Sequence, residues 1–465
     1  MAHTIQEIFA LQKTKSIHLR TTAPSERKIK LRKLKSVIES NEAAIFDALQ
    51  KDLGKSEFES ALSELYIVYS EIDLAIKNID SWMKPKKVGP PLSNLLSRNS
   101  IYYEPKGVCL IIAPWNYPFQ LLMSPLISAI AAGNCVMLKP SELSTHTSVV
   151  LNQIIGNNFD SGEIACFEGD AGVAEELLSL PFDHIFFTGS TQVGKVVMAA
   201  AAKNLTSVTL ELGGKSPVII DSDVDLEKAV AKIVWGKFIN AGQTCIAPDY
   251  ILLKAEQQEK FLELARNSLK KLYYTDGPLD ESSYGKIISK RHFDRLSGML
   301  QEAVADGAKV SLGGLQSEER QIIEPTVVSN VNPRSALMQE EIFGPILPLL
   351  TYRSLDEAIS LINERPKPLA LYIFSQNNTV IDRIIKQTSA GGTTVNDIAI
   401  HFANSSLPFG GTGASGMGSS HGFFGFRAFS HERGVTFQSK IDFNRFAYPP
   451  YGKKKGLMKW LKKLM

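Results

Sequence analysis

Apolar residues recur at helical spacing through 24–51 and again through 57–83, with Lys and Glu between them, so two long helices are expected to open the chain. A basic, proline-containing break follows at 85–91. Ser100-Ile101-Tyr102-Tyr103-Glu104 then reads as a strand that turns at Pro105-Lys106-Gly107. From Gly107 the period changes: short apolar or β-branched runs at 107–112, 135–139, 164–168, 184–188 and 207–211 alternate with helical stretches, the pattern of a parallel sheet covered on both faces. A second alternating set follows Glu211, with strands at 217–221, 249–254, 346–352, 369–375 and 391–396. Its helices are expected at 225–239, 256–272, 290–306, 355–363 and 377–388. Two open α/β units are therefore predicted. Ligands of such sheets lie beyond the carboxyl ends of the strands, which directs attention to the loops after 112, 139 and 188.

The run 119–138 is long and mostly apolar, but Gln120, Ser124, Pro125, Ser128, Gly133 and Asn134 interrupt it, and a buried helix followed by a strand accounts for it. At 465 residues the chain exceeds one ordinary core, and 44% hydrophobic with 21% charged residues excludes disorder, collagen and coiled coil. The first residues lack the basic region and apolar run of an export signal, so a cytoplasmic location is expected. The net charge is +3, yet six of the lysines crowd into 453–463 and the rest of the chain is slightly acidic, which sets nucleic acid aside. In that tail Leu457, Trp460, Leu461 and Leu464 share a helical face opposite lysines. The pattern admits weak peripheral membrane contact through 452–465 or a solvated terminus.

Four cysteines without C-x-x-C spacing exclude a disulfide scaffold and a structural zinc site, and point to a reducing compartment. Cys109, Cys135 and Cys166 sit in apolar runs and read as packed thiols. Cys245 does not: Gly242-Gln243-Thr244-Cys245-Ile246-Ala247-Pro248 holds it between a glycine and a proline, on a loop, where it can meet a substrate and be ringed by backbone N–H groups. Three further loop segments place a polar or acidic residue beside Gly or Pro at a strand end: 114–119, 211–217 and 341–345. Each carboxylate taken alone reads equally as a cap or a salt-bridge partner. The spacing Gly189…Gly194-Lys195 is that of a P-loop, but Val196 stands where a magnesium-binding hydroxyl belongs, and Thr191 breaks the dinucleotide fingerprint. What remains is a helix N-terminus suited to a phosphate. His184, His401, His421 and His431 lack ligand spacing, so no metal is implied.

Taken in order, Pro114-Trp115-Asn116-Tyr117-Pro118, Lys139-Pro140-Ser141-Glu142, Gly189-Ser190-Thr191, Glu211-Leu212-Gly213-Gly214-Lys215-Ser216-Pro217, Gly242-Gln243-Thr244-Cys245 and Glu341-Ile342-Phe343-Gly344-Pro345 resemble the NAD(P)-dependent aldehyde dehydrogenases over nearly the whole chain. The short N-terminus, the continuation Cys245-Ile246-Ala247-Pro248-Asp249-Tyr250 and the glycine-rich run 408–418 look most like the class 3, or fatty-aldehyde, branch. The resemblance implies that Cys245 attacks an aldehyde to give a thiohemiacetal and then a thioester, that Asn116 with the Cys245 N–H stabilises the oxyanion, and that Glu211 is the general base for hydrolysis. It further implies a cofactor held by Lys139 and Glu142 at the adenine ribose and by Gly189, Ser190 and Gly194 at the pyrophosphate. Glu341 and Phe343 would lie at the nicotinamide ribose and ring, and Trp115 would be a further cofactor contact. Glu142 favours NAD, with NADP admitted if that carboxylate swings aside. Individually, Lys139 also reads as a strand-end lysine, Phe343 as a core aromatic and Asn116 as a turn residue.

The domain layout expected on this resemblance is a cofactor domain over 1–210, to which 84–106 adds an oligomerisation hairpin, and a catalytic domain over 211–395. A return segment over 396–440 and a basic tail over 441–465 complete it. A homodimer is expected, acting on medium- or long-chain aliphatic or aromatic aldehydes. The alternative from the residues alone is a thioester-forming cysteine hydrolase or acyltransferase without redox chemistry, against which stands the lack of a histidine in any motif.

Overall fold

Val108–Ile112 is the strand from which the first half of the molecule is wound in the computed structural model, which describes residues 3–90, 96–274, 277–440 and 448–452. The chain steps outward from it to Cys135–Lys139 and Ile164–Cys166, then crosses to its other side for His184–Thr188 and Ser207–Glu211. All five are parallel, and Gly416–Met417 adds a short antiparallel edge beside Ser207–Glu211. Alternate residues feed two cores. Val108, Leu110 and Met137 pack with Phe9 of the helix Ile5–Leu19 on one face, while Cys109, Ile111 and Leu138 pack with Leu34, Ile72 and Leu126 on the other. Burial on both faces is why these strands read as continuous apolar runs. The winding reverses between Val108–Ile112 and His184–Thr188, and such a reversal opens a crevice beyond the strand ends.

After Glu211 a five-residue connection leads into the second sheet. Its order is Lys309–Leu312, Thr326–Ser329, Ile346–Tyr352, Tyr250–Lys254, Pro217–Ile220, Ala370–Phe374, Gly392–Val395, parallel except at the Lys309–Leu312 edge. A single large core spans it. A third, three-stranded antiparallel sheet joins Lys86–Val88, Arg98–Pro105 and Ser430–Phe437.

The strands of both alternating sets appear within a residue or two of their expected positions, and the apolar run 119–138 is the helix Gln120–Ala132 followed by a strand. No described helix is long and apolar enough to cross a membrane. The expected helix over 24–51 is two, Pro24–Glu39 and Glu42–Leu53, because Ser40 and Asn41 turn their side chains back onto the carbonyls of Ser36 and Val37. The expected helix over 57–83 carries a π-turn at Ala61–Leu65, before Tyr66–Trp82. The helix Ile5–Leu19, the strands Lys309–Leu312 and Thr326–Ser329 of the second sheet, and the short strands Gln316–Ser317 and Ile322–Ile323 were not expected. The amphipathic pattern of the tail lies at 457–464, outside the described residues.

Ile111 is fully buried in the central strand. Ile111→Ala is expected to lower stability by about 2–5 kcal/mol, read from denaturant unfolding, through lost apolar burial and the cavity left behind.

Candidate active site

The crevice is a cavity of about 1230 Å3, large for a small-molecule pocket, and its walls come from both large sheets. Asn116 arrives on the turn after Val108–Ile112, Ser190 and Gly189 on the turn after His184–Thr188, and Glu211 as the last residue of its strand. Cys245 comes from the second half, three residues after the short 3₁₀ segment Ile239–Gly242, and Glu341 and Phe343 from the loop before Ile346–Tyr352. These residues and Trp115 all line the one cavity.

Glycines let the loops interlock. A Cβ on Gly242, which has φ +73°, would strike the carbonyl oxygen of Gly344, and a Cβ on Gly213 would strike the Glu341 carboxylate. The 341–345 loop is held from behind by Arg295, which donates to the Ile342 carbonyl at 2.6 Å. Lys215 donates to the Leu337 and Glu340 carbonyls at 2.7 Å each and is ion-paired with Asp249. Asp249 in turn accepts the Ile342 N–H.

Asn116 is buried, and its amide donates to the Gln243 carbonyl at 3.0 Å. An amide carries two N–H donors, and the second has no acceptor among the described residues. The Asn116 carbonyl accepts from Lys55 at 3.0 Å and from the Asn240 amide at 2.9 Å. Lys55 is itself fully buried and paired with Glu64 at 2.6 Å, whose other oxygen takes the N–H groups of Phe119 and Gln120. Lys55, Glu64 and Asn240 belong to no motif. The signal for Glu64 was a carboxylate beside Leu62 and Leu65 in an apolar helical stripe; Asn240 has φ +51°, a conformation asparagine tolerates better than most side chains.

The ionisable groups of the cleft are pushed toward neutrality. Burial raises Glu211 to about 8, opposed by a hydrogen bond from Ser420 Oγ at 3.0 Å, and its second oxygen is buried without a partner. Burial and then the nearby Asp249 charge raise Glu341 to about 8. Burial, followed by the charges of Glu341 and Glu211, raises Cys245 to about 12, while the N–H groups of Cys245 and Ile246 act the other way.

Not every expected residue reaches this cavity. Lys139 is buried at the end of its strand, donating to the Pro140 carbonyl at 2.7 Å and to Glu142 at 3.3 Å, and neither it nor Glu142 is among the lining residues. Gly194 lies inside the helix Thr191–Ala202, where a Cβ would sit 2.7 Å from Leu212, so its smallness lets helix and loop pack closely. Ser190 caps that helix, accepting the Val193 N–H at 3.3 Å. The residues fit a dinucleotide: a helix N-terminus suited to its phosphates lines the cavity, and so do Glu341, Phe343 and the Trp115 ring, 5.3 Å from Phe343.

Residues 2–435 match the model of the aldehyde dehydrogenase family. The putative aldehyde dehydrogenase AldX of Bacillus subtilis is 45% identical over 94% of this chain and 98% of its own length. The dimeric, NADP-preferring aldehyde dehydrogenase of Rattus norvegicus is 44% identical over 96% of each chain. The substrate-bound structure of Staphylococcus aureus AldH superposes over the full length of both chains with a TM-score of 0.94 at 43% identity. The chain belongs to the aldehyde dehydrogenase family and is an enzyme that oxidises aldehydes with NAD or NADP.

Proposed function

We propose that Cys245 is the nucleophile, Asn116 and the Cys245 N–H the oxyanion donors, and Glu211 the general base. The observation that carries this reading is the convergence of Cys245, Asn116 and the half-satisfied Glu211 carboxylate on one cavity. The Cys245 sulfur, once deprotonated, adds to the aldehyde carbon, and the spare Asn116 N–H and the Cys245 N–H receive the charge that develops on oxygen. A nicotinamide held by Glu341, Phe343 and Trp115 would supply the hydride acceptor and a positive charge. With hydride gone, carbon and sulfur remain joined as a thioester on Cys245. Glu211 takes a proton from water as the water oxygen bonds to the thioester carbon; the carbon–sulfur bond then breaks, releasing the carboxylic acid and restoring the thiolate.

The cofactor is held, on this reading, by Gly189 and Ser190 at the helix N-terminus and by Glu341, Phe343 and Trp115 further along, with Gly194 supporting the turn through Leu212. Lys139 and Glu142 stand at the end of the neighbouring strand, where a ribose leaving the phosphate site arrives. Glu142 there gives NAD the preference, and its exposure leaves room to turn away for NADP. The residues 1–210 form the cofactor half and 211–395 the thiol half, consistent with one large sheet in each. Leu62, Ile67, Trp235, Ile239, Ile400 and Phe402 contribute apolar lining to the cavity, which suits medium- or long-chain aliphatic or aromatic aldehydes.

A homodimer accords with the open edge of Ser430–Phe437, eight residues long and paired on one side only among the described residues. Sedimentation equilibrium is expected to give twice the chain mass, and a monomer at micromolar concentration would remove this assignment.

Aldehyde-dependent reduction of NAD or NADP is expected to vanish in Cys245→Ala. In Glu211→Gln a single turnover is expected to proceed to the acyl-enzyme, with steady-state turnover reduced by roughly 10²–10⁴-fold. Because the base must be ionised and its carboxyl is pushed up to about 8, wild-type deacylation should rise as pH increases through that value, and the rise should disappear in Glu211→Gln. Reduction that survives Cys245→Ala would refute the assignment of the nucleophile.

Lys55→Met strands the Glu64 carboxylate. It is expected to cost about 3–5 kcal/mol of stability by denaturant unfolding. The Asn116 turn loses a tether as well, so kcat should fall on the order of 10- to 100-fold in the variant that remains folded.

A further inference from the structure

Among the described residues, Ser420 makes the one hydrogen bond to the Glu211 side chain. It belongs to no motif that carries the chemistry. It follows the glycine-rich run, on the chain that turns back from the short strand Gly416–Met417 beside Ser207–Glu211, so the two residues come together from 209 positions apart. Ser420 Oγ lies 3.0 Å from Glu211 Oε1 and 3.3 Å from the carbonyl oxygen of Phe409. The Ser420 backbone N–H is already bonded to that same carbonyl at 2.6 Å, which fixes the residue at its Cα. Ser420 and Glu211 both line the cavity, and Glu211 Oε2, the oxygen Ser420 does not touch, is buried without a partner.

A hydroxyl placed between a carboxyl and a carbonyl can serve both protonation states of the carboxyl. Toward ionised Glu211 it donates its proton to Oε1. Toward protonated Glu211 it accepts the acid proton and turns its own to the Phe409 carbonyl. No other side chain among the described residues makes either bond to Glu211. We propose that Ser420 is a positioning residue for the hydrolytic half of the reaction, holding Oε1 of Glu211 through both protonation states so that Oε2, which has no other partner, is left for the water it deprotonates. The inference rests on the reading of Glu211 as general base.

The direction of its effect follows from which state it favours more. The Oγ–Oε1 contact of 3.0 Å serves both states, but toward the ionised carboxylate it is charge-assisted and so the stronger of the two, and a bond to the charged form holds a carboxyl pKa down. Burial pushes Glu211 up, and Ser420 opposes that push. The other titratable groups around it are few. Cys245 faces it from the loop of the second half, and Glu341 acts on the same thiol from the 341–345 loop. His421, next to Ser420, is buried among Phe402 and Phe409 and held neutral, its pKa lowered to about 4 by burial and then by His401. None of these replaces the hydroxyl.

The test uses the full-length enzyme and an activated ester, p-nitrophenyl acetate, which acylates Cys245 with release of p-nitrophenol and involves no hydride. Wild type, Ser420→Ala, Ser420→Thr and Glu211→Gln are followed through the p-nitrophenol burst, which reports acylation, and the steady rate after it, which reports deacylation. Ser420→Ala is expected to keep the burst amplitude and to shift the pH midpoint of deacylation upward by about one unit. Its rate at pH 7 should then be down by roughly three- to tenfold and should converge on wild type at high pH. Ser420→Thr, which keeps the hydroxyl, is expected to restore the wild-type midpoint. An unchanged midpoint in Ser420→Ala would overturn the proposal, and so would an equal loss at every pH that threonine does not rescue, the mark of a packing role alone. Glu211→Gln separates the two readings: if it deacylates like wild type, the general-base assignment itself is wrong and the role of Ser420 goes with it. If it is slow while Ser420→Ala is normal, only the role of Ser420 is lost.

Discussion

At Gly242 a Cβ would run into the carbonyl of Gly344, and at Gly213 into the carboxylate of Glu341. The cleft depends on these two close approaches, because they bring a loop of the thiol half, a loop before its central strands and the connection between the sheets within contact of one another. Gly242 has the further requirement of a positive φ, which a side chain would resist even if the space were there. Once the loops touch, backbone groups set the chemistry: the N–H groups of Cys245 and Ile246 surround the sulfur, and the Asn116 amide is clipped to the Gln243 carbonyl two residues ahead of the thiol. Position thus comes from chain contacts rather than from long side chains reaching across a gap, and such contacts lose little precision to rotamer freedom.

Behind that interlock stand buried charges that belong to the scaffold. Lys55 with Glu64 ties the π-turn of the second long helical stretch to the Asn116 turn, and Lys215 with Asp249 ties the connection between the sheets to the 337–342 segment. In each pair the remaining donors and acceptors go to backbone groups of loops and helix ends, which no ladder satisfies. A hydrophobic pair would fill the same space but leave those loop N–H and C=O groups unpaired, so the ions here serve to fix loop geometry at a cost in desolvation.

The fold was legible because its signals are local and repeated. Parallel strands buried on both faces, such as 108–112 and 135–139, announce themselves as apolar runs, and the helices between them by period. The ordered loop segments were equally legible, since a residue such as Gly213 or Gly242 tolerates no replacement by its contacts. The break at Ser40 and Asn41 was not, because side chains turned back on the backbone leave the apolar spacing undisturbed on either side. Nor could spacing show that Lys55, 61 positions before Asn116, would meet its carbonyl, or that Ser420 would reach Glu211 from 209 positions away. Such contacts arise from topology, when the chain returns to a sheet it left long before.

The electrostatics of the cleft follow from the same closure. Two carboxyls near 8 and a thiol near 12 mean that burial outweighs every other influence on each of them, so none carries much charge at neutral pH while the site is closed around itself. Ionising Cys245 there is opposed by any charge on Glu341 or Glu211, and ionising either carboxyl is opposed by a thiolate. Charge on the thiol and charge on either carboxyl therefore oppose each other. A thiolate is compatible with neutral carboxyls and with a cation beside it. An ionised Glu211 is compatible with a sulfur already bonded to carbon as a thioester, which bears no charge. On the roles proposed for Cys245 and Glu211, attack and hydrolysis call for opposite charge states of the same small volume, and the covalent step between them, by neutralising the sulfur, lets one pocket supply both.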